Sequence, residues 1–444
     1  MNIKNIFKNS VGESILAFGL KIGSALVGFY MFAMIASKLG SSEFGDFTVM
    51  FSVVMFFSTL NSCGLQSLII KYFPRYEVAK DSELLSGLVF FSCVVFIFIS
   101  VVNFILFSAI YEYLNLPLDN TAKSYMYLFV VSFAFSHVLI ALMRVLDKTL
   151  LGLFLRDFLW RVLVTILLLS CLVYTVASDV LVVMSLSILP IILVGLVITV
   201  RQLSRHITIS NDIALKKWSV ESSSFCLILV VSSADIYIYT MLISQYLDAV
   251  EVGVFFTSIK IAELINLVFI SVALVFSTKI SKAIASKNTE LTQILCRLAV
   301  LIAGLPSIGF AFLIFAMSPF LLQLFSPEYV EYSEVLFIVL SAVLLNALSG
   351  VTGLVMQLTG KHWLLLILQS FFLGIAIFLC PFFMDLFGVL GVGYAYFLSK
   401  GLWNIVVVIY LYKVEKINTS FLSVGFYFVN KNEIVNDFKR ISLS

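Results

Sequence analysis

The sequence predicts an all-α polytopic membrane protein, and three observations carry that prediction. The chain of 444 residues is 61% hydrophobic and only 12% charged, whereas soluble domains carry about a quarter charged residues; its mean hydropathy is +1.10. Twelve apolar stretches follow one another with short connections, each long enough for the ~20 residues a helix needs to cross a bilayer. None shows the alternation over about ten residues that marks a barrel strand, so helices are left as the way to satisfy the backbone inside hydrocarbon. No room remains for a separate soluble domain, and nothing points to nucleic acid as a partner.

The expected spans lie at 12–37, 46–70, 84–108, 124–146, 152–176, 180–203, 219–244, 252–278, 294–317, 333–358, 362–384 and 388–412. The first is read as a retained span, because it is longer than a signal-peptide core and lacks a small-residue cleavage site. Lysine and arginine set the orientation. With the N-terminus cytoplasmic, the inner connections hold Lys71, Arg75 and Lys80; Arg144, Lys148, Arg156 and Arg161; Arg201, Arg205, Lys216 and Lys217; Lys279, Lys282, Lys287 and Arg297; and Lys361. The tail adds Lys413, Lys416, Lys431, Lys439 and Arg440. The other side has Lys38 and Lys123 and collects acids instead: Glu43, Glu112, Asp119, Asp179, Asp248, Glu251, Glu328, Glu331, Glu334 and Asp385. Both termini are therefore expected in the cytoplasm. The six cysteines lie in or beside apolar stretches without a CxxC pair, which reads as buried small hydrophobes rather than a disulfide framework or zinc site.

An internal repeat divides the chain. Leu39, Glu43, Gly45 and Phe47 recur as Leu247, Glu251, Gly253 and Phe255, each 208 residues on, and Glu13-Ser14 aligns with Glu221-Ser222 at the same offset. The register predicts two parallel six-helix lobes at 1–203 and 219–412, joined by a basic cytoplasmic linker at 204–218. The tail at 413–444 carries Phe421, Leu422, Phe426, Tyr427 and Phe428 among polar residues; it reads either as an interfacial segment or as a loosely docked end. Transporters commonly hold substrate between such repeats.

Three lysines stand inside spans: Lys21, Lys260 and Lys400. A charge at membrane depth costs roughly 2.5–3.5 kcal/mol on insertion scales, so each is expected to face protein or water, and a surplus of ammonium groups points to an anionic passenger. Lys21 shares its helix face with Ser14, Ala17, Ser24, Ala25 and Gly28, a small stripe suited to the bundle interior; its alternatives are passenger binding and a structural ion pair. Lys260 precedes Glu263 by one turn, with Asn266 continuing the stripe. Either Glu263 neutralises Lys260, or it is itself a proton or cation site. Lys400 shares a face with Gly393, Tyr396, Trp403 and Asn404, whose aromatic rings either stack on sugar or simply pack. Asp235 in span seven reads as an ion-pair or proton-coupling carboxylate, and His137 in span four as a core residue or proton relay.

In span ten, Ala342, Asn346, Ser349, Gly350, Gly353 and Gln357 form a further small, polar stripe, suited to close packing or to a cavity wall. Arg144, Lys148, Arg156 and Arg161 are expected at the cytoplasmic mouth, as a headgroup-capture patch or as plain positive-inside charge. There is no GxxxxGK[ST] phosphate loop and no nucleophile–base constellation, so neither an ATPase nor another enzyme is expected.

The turn Leu39-Gly40-Ser41-Ser42-Glu43-Phe44-Gly45 resembles the LGxxxFG signature of the Wzx-type polysaccharide flippases, in the multidrug/oligosaccharidyl-lipid/polysaccharide exporter superfamily. Gly64-Leu65 with Lys71-Tyr72, Pro327-Glu328-Tyr329, Gly360-Lys361 and Gly388-Val389-Leu390-Gly391 are similar to further landmarks in the same order. The resemblance spans the chain. It implies two six-helix lobes around a central cavity, in a fold like that of the MATE exporters. It also implies transfer of an undecaprenyl-pyrophosphate-linked oligosaccharide, an O-antigen or capsule unit, across a bacterial inner membrane. Partners so implied are the lipid-linked oligosaccharide, membrane lipid, and the polysaccharide polymerase and chain-length machinery. No cofactor is expected beyond coupling to H+ or Na+. Lysines at 21 and 260, where the peptidoglycan-precursor branch tends to use arginine, and twelve spans rather than fourteen favour the O-antigen or capsule branch. The rival readings are a cation-coupled multidrug exporter of the same superfamily and a membrane glycan polymerase or ligase.

Overall fold

The structure, a computed structural model, describes residues 3–114, 120–170, 176–204, 214–233 and 235–425. The side chains of Glu13, Ser14 and Ala17, together with Asp119, Cys171, Arg205, Phe426, Tyr427, Phe428, Lys431, Lys439 and Arg440, lie outside the described residues. Helix is the only regular secondary structure among those described. Nine helices there are long and apolar enough to cross a bilayer, ten with one bent pair taken as a single span. The two remaining expected spans, 152–176 and 252–278, are helices whose ladders are interrupted. The first runs from α6 (Thr149–Leu153) through a π turn (Phe154–Leu159) into α7 (Trp160–Ser170). The second runs from α11 (Ala249–Ala262) through a 3₁₀ turn (Glu263–Ile265) into α12 (Asn266–Ala285). The architecture is thus the polytopic helical bundle that the apolar pattern predicts.

The chain divides into two compact units, Met1–Gly253 and Val254–Ser444. The first holds α1 (Ile3–Leu39), α2 (Ser41–Ser62), α3 (Leu65–Ala79), α4 (Ser82–Tyr113), α5 (Asn120–Val145), α6, α7, α8 (Ala177–Leu203), α9 (Leu215–Ser233) and α10 (Asp235–Ile243). The unit extends past the linker at 204–218 because α9 packs on α3 and α10 on α2. Cys63, in a left-handed conformation at φ 46°, ends α2 and bends the chain into α3. Between α2 and α4, Asn103 donates to the Phe57 carbonyl at 2.9 Å and to Asn61 at 3.2 Å, and Asn61 donates to Ser100 at 3.0 Å. Such interhelical bonds stabilise membrane bundles by about 0.6–2 kcal/mol each. Apolar packing completes the unit: Phe32, Phe47 and Phe51 are in ring contact, and each such pair adds about 0.5–1.5 kcal/mol.

Gly45, in the turn motif after the first span, shows why that position is glycine. A Cβ there would stand 1.8 Å from the carbonyl oxygen of Ala249, so any other residue would push the two helices apart.

The second unit holds most of α11, then α12, α13 (Thr289–Ala316), α14 (Ser318–Gln323), a 3₁₀ turn (Pro327–Tyr332), α15 (Ser333–Leu348), α16 (Thr352–Leu358), α17 (His362–Phe387), α18 (Val389–Phe397) and α19 (Trp403–Tyr410), with π turns at Leu398–Leu402 and Leu411–Glu415. Its core gathers Ile280, Leu298, Val300, Val355, Met356 and Val407, all buried. The start of the expected tail is docked: Gln293 of α13 donates to the Asn418 carbonyl at 2.9 Å and accepts from the Asn418 amide at 2.7 Å, and Phe421 lies against Gly304.

Candidate anion-binding site

In the first unit α1 and the α6–α7 helix are neighbours, and the small stripe on α1 turns out to be a seat for an arginine. Arg161 Nη1 donates to the Ser24 carbonyl at 3.0 Å and to the Asp157 carbonyl at 3.1 Å, and it also bonds Ser24 Oγ. Ser24 Oγ in turn donates to the Asp157 carbonyl at 2.6 Å. Gly28 lies close beside it: a Cβ there would stand 3.1 Å from Arg161 Nε. Gly23 faces the Phe158 ring at a comparable 3.3 Å. Lys21 sits one turn before Ser24 on the same face, half-buried, with neither an ion pair nor a hydrogen bond among the described residues.

A second cation lies in the π turn. Arg156 Nε is 3.4 Å from its neighbour Asp157 Oδ1, and its guanidinium sits 5.3 Å from the centre of the Phe133 ring. The same ring is in edge contact with His137, at 5.3 Å between centroids. His137 is thereby placed beside the cationic cluster. Among the described residues, Asp157 is the carboxylate beside Arg156, and its carbonyl accepts from Arg161; Lys21 lies one turn along α1 from Ser24, which Arg161 bonds.

The basic quartet is divided between two settings. Arg144, at the end of α5, and Lys148 are exposed at the helix ends as expected. Arg161 stands twelve residues into the helix that begins at Thr149, about 18 Å at 1.5 Å per residue. It points into the packing against α1 rather than to solvent. The sequence offered a signal, since a serine–glycine stripe leaves room for a long side chain from a neighbour, but it did not say whose.

In the second unit, Lys260 Nζ is 3.1 Å from Glu263 Oε2 and 5.2 Å from the centre of the Phe256 ring. The ladder tightens to 3₁₀ geometry at Glu263 itself. Thr257 Oγ1, Ser258 Oγ and Asn266 Oδ1 are buried nearby along the chain without hydrogen-bond partners among the described residues. Lys400 lies in a π turn, and its carbonyl accepts from Asn404 Nδ2 at 2.9 Å. The same amide donates to Asn346 Oδ1 at 3.0 Å. Asn346, Gly350, Gly353 and Gln357 line a cavity of 390 Å³ with Trp403 and Phe269. Both readings of the span-ten stripe are realised: Asn346, Gly353 and Gln357 line the cavity, while Ala342 and Ser349 are buried and a Cβ at Gly350 would stand 2.2 Å from the Thr419 carbonyl oxygen. Asp235, buried, opens α10 in its first turn, where the helix dipole stabilises a carboxylate. A further cationic group, Lys71, Arg75 and Lys217, gathers around Tyr72, a grouping that the sequence alone does not predict.

No family model matches this chain, and no curated protein matches it by sequence. Solved structures do. A multidrug resistance MATE family transporter of the MOP superfamily, in its inward-facing conformation, aligns with a TM-score of 0.73 over 89% of this chain and 97% of that one, at 15% identity. A MATE crystal structure in the straight conformation aligns at 0.64 over 90% and 94%, at 17% identity, and MATE in complex with MaL6 at 0.64 over 89% and 94%, at 18% identity. The chain has a MATE-like fold. It is a multi-pass membrane protein, and the MATE-like arrangement accounts for nearly its whole length.

Proposed function

We propose that this protein is an alternating-access exporter whose passenger is anionic: an undecaprenyl-pyrophosphate-linked oligosaccharide moved from the inner to the outer leaflet. The cationic surplus around Ser24 carries the reading. In this reading the helices carrying Lys21, Arg156 and Arg161 cross the membrane, Asp157 is the carboxylate beside the arginines among the described residues, and intramembrane charges mark substrate or ion pathways. A guanidinium presents a planar fork suited to phosphate, and an ammonium adds a point charge. In this reading Lys21 and Arg161 hold the phosphates while the polyprenyl tail stays in lipid. In the second unit, Lys260 and Lys400 are the candidate contacts for acidic groups. When an anion takes Lys260, Glu263 is released to accept a proton or Na+. The anion must bind without trapping one state of the cycle, so its affinity for the two end states has to be similar. The MATE-like fold supports transport rather than catalysis.

The test is export of surface glycan in cells lacking the native protein. Lys21→Ala and Arg161→Ala are expected to lower export tenfold or more, since a charge-assisted hydrogen bond contributes about 1.5–3 kcal/mol. Lys21→Arg is expected to keep export, and Lys260→Ala to lower it. Full export by Lys21→Ala and Arg161→Ala at normal membrane levels would remove the site. The rival reading is a cation-coupled multidrug exporter, and the multidrug resistance transporter among the fold's neighbours favours it. Its passengers are mostly cationic, and a binding screen of organic cations against lipid-linked pyrophosphates separates the two.

A further inference from the structure

A second cationic group lies at the basic end of the first unit, which the positive-inside rule assigns to the cytoplasm. Three cations surround one ring: Lys71 Nζ, Arg75 Cζ and Lys217 Nζ are 5.3, 5.6 and 4.9 Å from the centre of Tyr72. The ring is held in place from several sides. Tyr72 is buried and donates its hydroxyl to Glu221 Oε1 at 2.7 Å. Tyr76 stacks on it at 5.6 Å, and Trp218, fully buried, donates Nε1 to the Tyr76 hydroxyl at 3.1 Å. Lys71 pairs with Glu221. Arg75 and Lys217 are exposed and have no ion pair among the described residues.

Cation–π attraction offsets only about 0.5–1 kcal/mol per exposed cation, and one carboxylate cannot neutralise three charges. Two cations remain for an anion from outside. The depth and surroundings identify its source. The α2–α3 pair runs 39 residues, Ser41–Ala79, well beyond the ~20 that span hydrocarbon, so the Lys71–Lys80 end reaches the headgroup layer. Exposed apolar residues flank the cations on the same helices: Ile70 and Val78 on α3, Leu215 and Val220 on α9. A free phosphate has no use for such neighbours, whereas a lipid covers them with its chains.

The geometry points to a docking site for a net-anionic phospholipid headgroup, held by Arg75 and Lys217 above the Tyr72 ring, with Glu221 setting the affinity by occupying Lys71. The site is independent of the passenger reading, because its readout is lipid retention rather than export.

The experiment uses the purified full-length protein in detergent, with lipid adducts counted by native mass spectrometry. The probes are dioleoyl-phosphatidylglycerol, dioleoyl-phosphatidylcholine and inorganic pyrophosphate. At about fivefold per cation, the wild type is expected to prefer phosphatidylglycerol by about twenty-five-fold, and Arg75→Gln/Lys217→Gln to bring the preference close to one. Lys80→Gln removes an exposed charge from the end of the same helix and is expected to change nothing. Glu221→Gln is expected to tighten phosphatidylglycerol severalfold, which tests the site even if the double variant misfolds. Displacement of the lipid by pyrophosphate supports phosphate as the recognised group. Three results overturn the proposal: an unchanged preference in the double variant, an equal loss in Lys80→Gln, or pyrophosphate binding without lipid retention.

Discussion

At the scale of single residues, the candidate site depends on what is absent from α1 as much as on what is present. Arg161 passes close over Gly28 on its way to Ser24: a Cβ there would stand 3.1 Å from Arg161 Nε and press on the side chain. Gly28→Val leaves every charge in place and removes only that clearance. Arg161 must then withdraw, and the Asp157 carbonyl loses one of its two side-chain donors. Export is expected to fall about tenfold with normal insertion, in line with the ~1.5–3 kcal/mol of a charge-assisted bond. Gly19, on the same helix, has open space around its Cβ position, so Gly19→Val is the control and is expected to export normally. Equal export by both variants would show that the Arg161 seat has no part in transport.

At the scale of elements, the irregular turns coincide with the charges. Arg156 and Asp157 lie in one π turn, Lys400 in another, and Glu263 opens a 3₁₀ turn directly after Lys260's helix. Such interruptions concentrate at functional sites because they free backbone groups from the regular ladder. Here the Asp157 carbonyl accepts from both Ser24 and Arg161. Deleting Phe154, an exposed residue at the start of the π turn, is expected to restore a plain α ladder. The protein should insert at normal levels but lose most export, which an export assay with membrane quantification checks; retained export would show the π turn to be incidental. These features also mark the limit of what was legible beforehand. Apolar run lengths give the helices, and the lysine and serine–glycine patterns give Lys21's face and the Asn346–Gln357 cavity wall, because composition and period determine them. A π turn arises from one surplus residue accommodated by tertiary packing, and no local pattern distinguishes Phe154–Leu159 from an ordinary helix. For the same reason no local pattern joins Arg161 to α1, or Lys71, Arg75 and Lys217 to one ring, since each grouping comes from helices distant in sequence.

At the scale of the molecule, the charge asymmetry between the two ends is sharper in the structure than in the sequence. The sparse side carries Lys38 and Lys123. Lys38 Nζ donates to the Leu168 carbonyl near the end of α7 at 2.7 Å, where a cation is favoured by the helix dipole. Lys123 is 3.5 Å from Glu112 and 5.1 Å from the centre of the Tyr111 ring. Glu43 on the same side accepts from the Ala177 amide at 3.1 Å and caps α8. Each of the two cations there is thus occupied within the fold, whereas Arg75, Lys217, Arg144 and Lys148 at the other end are exposed. Insertion is biased by cations that must otherwise cross the membrane, so this difference determines the orientation more firmly than the overall net charge of +3. Alkaline phosphatase, active only outside the cytoplasm, reads the outcome. A fusion after Lys287, in the basic connection before α13, is expected to be inactive. One after Pro327, beyond α13 and α14, is expected to be active. The reverse pattern would put the Lys279–Lys287 connection outside and overturn the orientation that lysine and arginine predict.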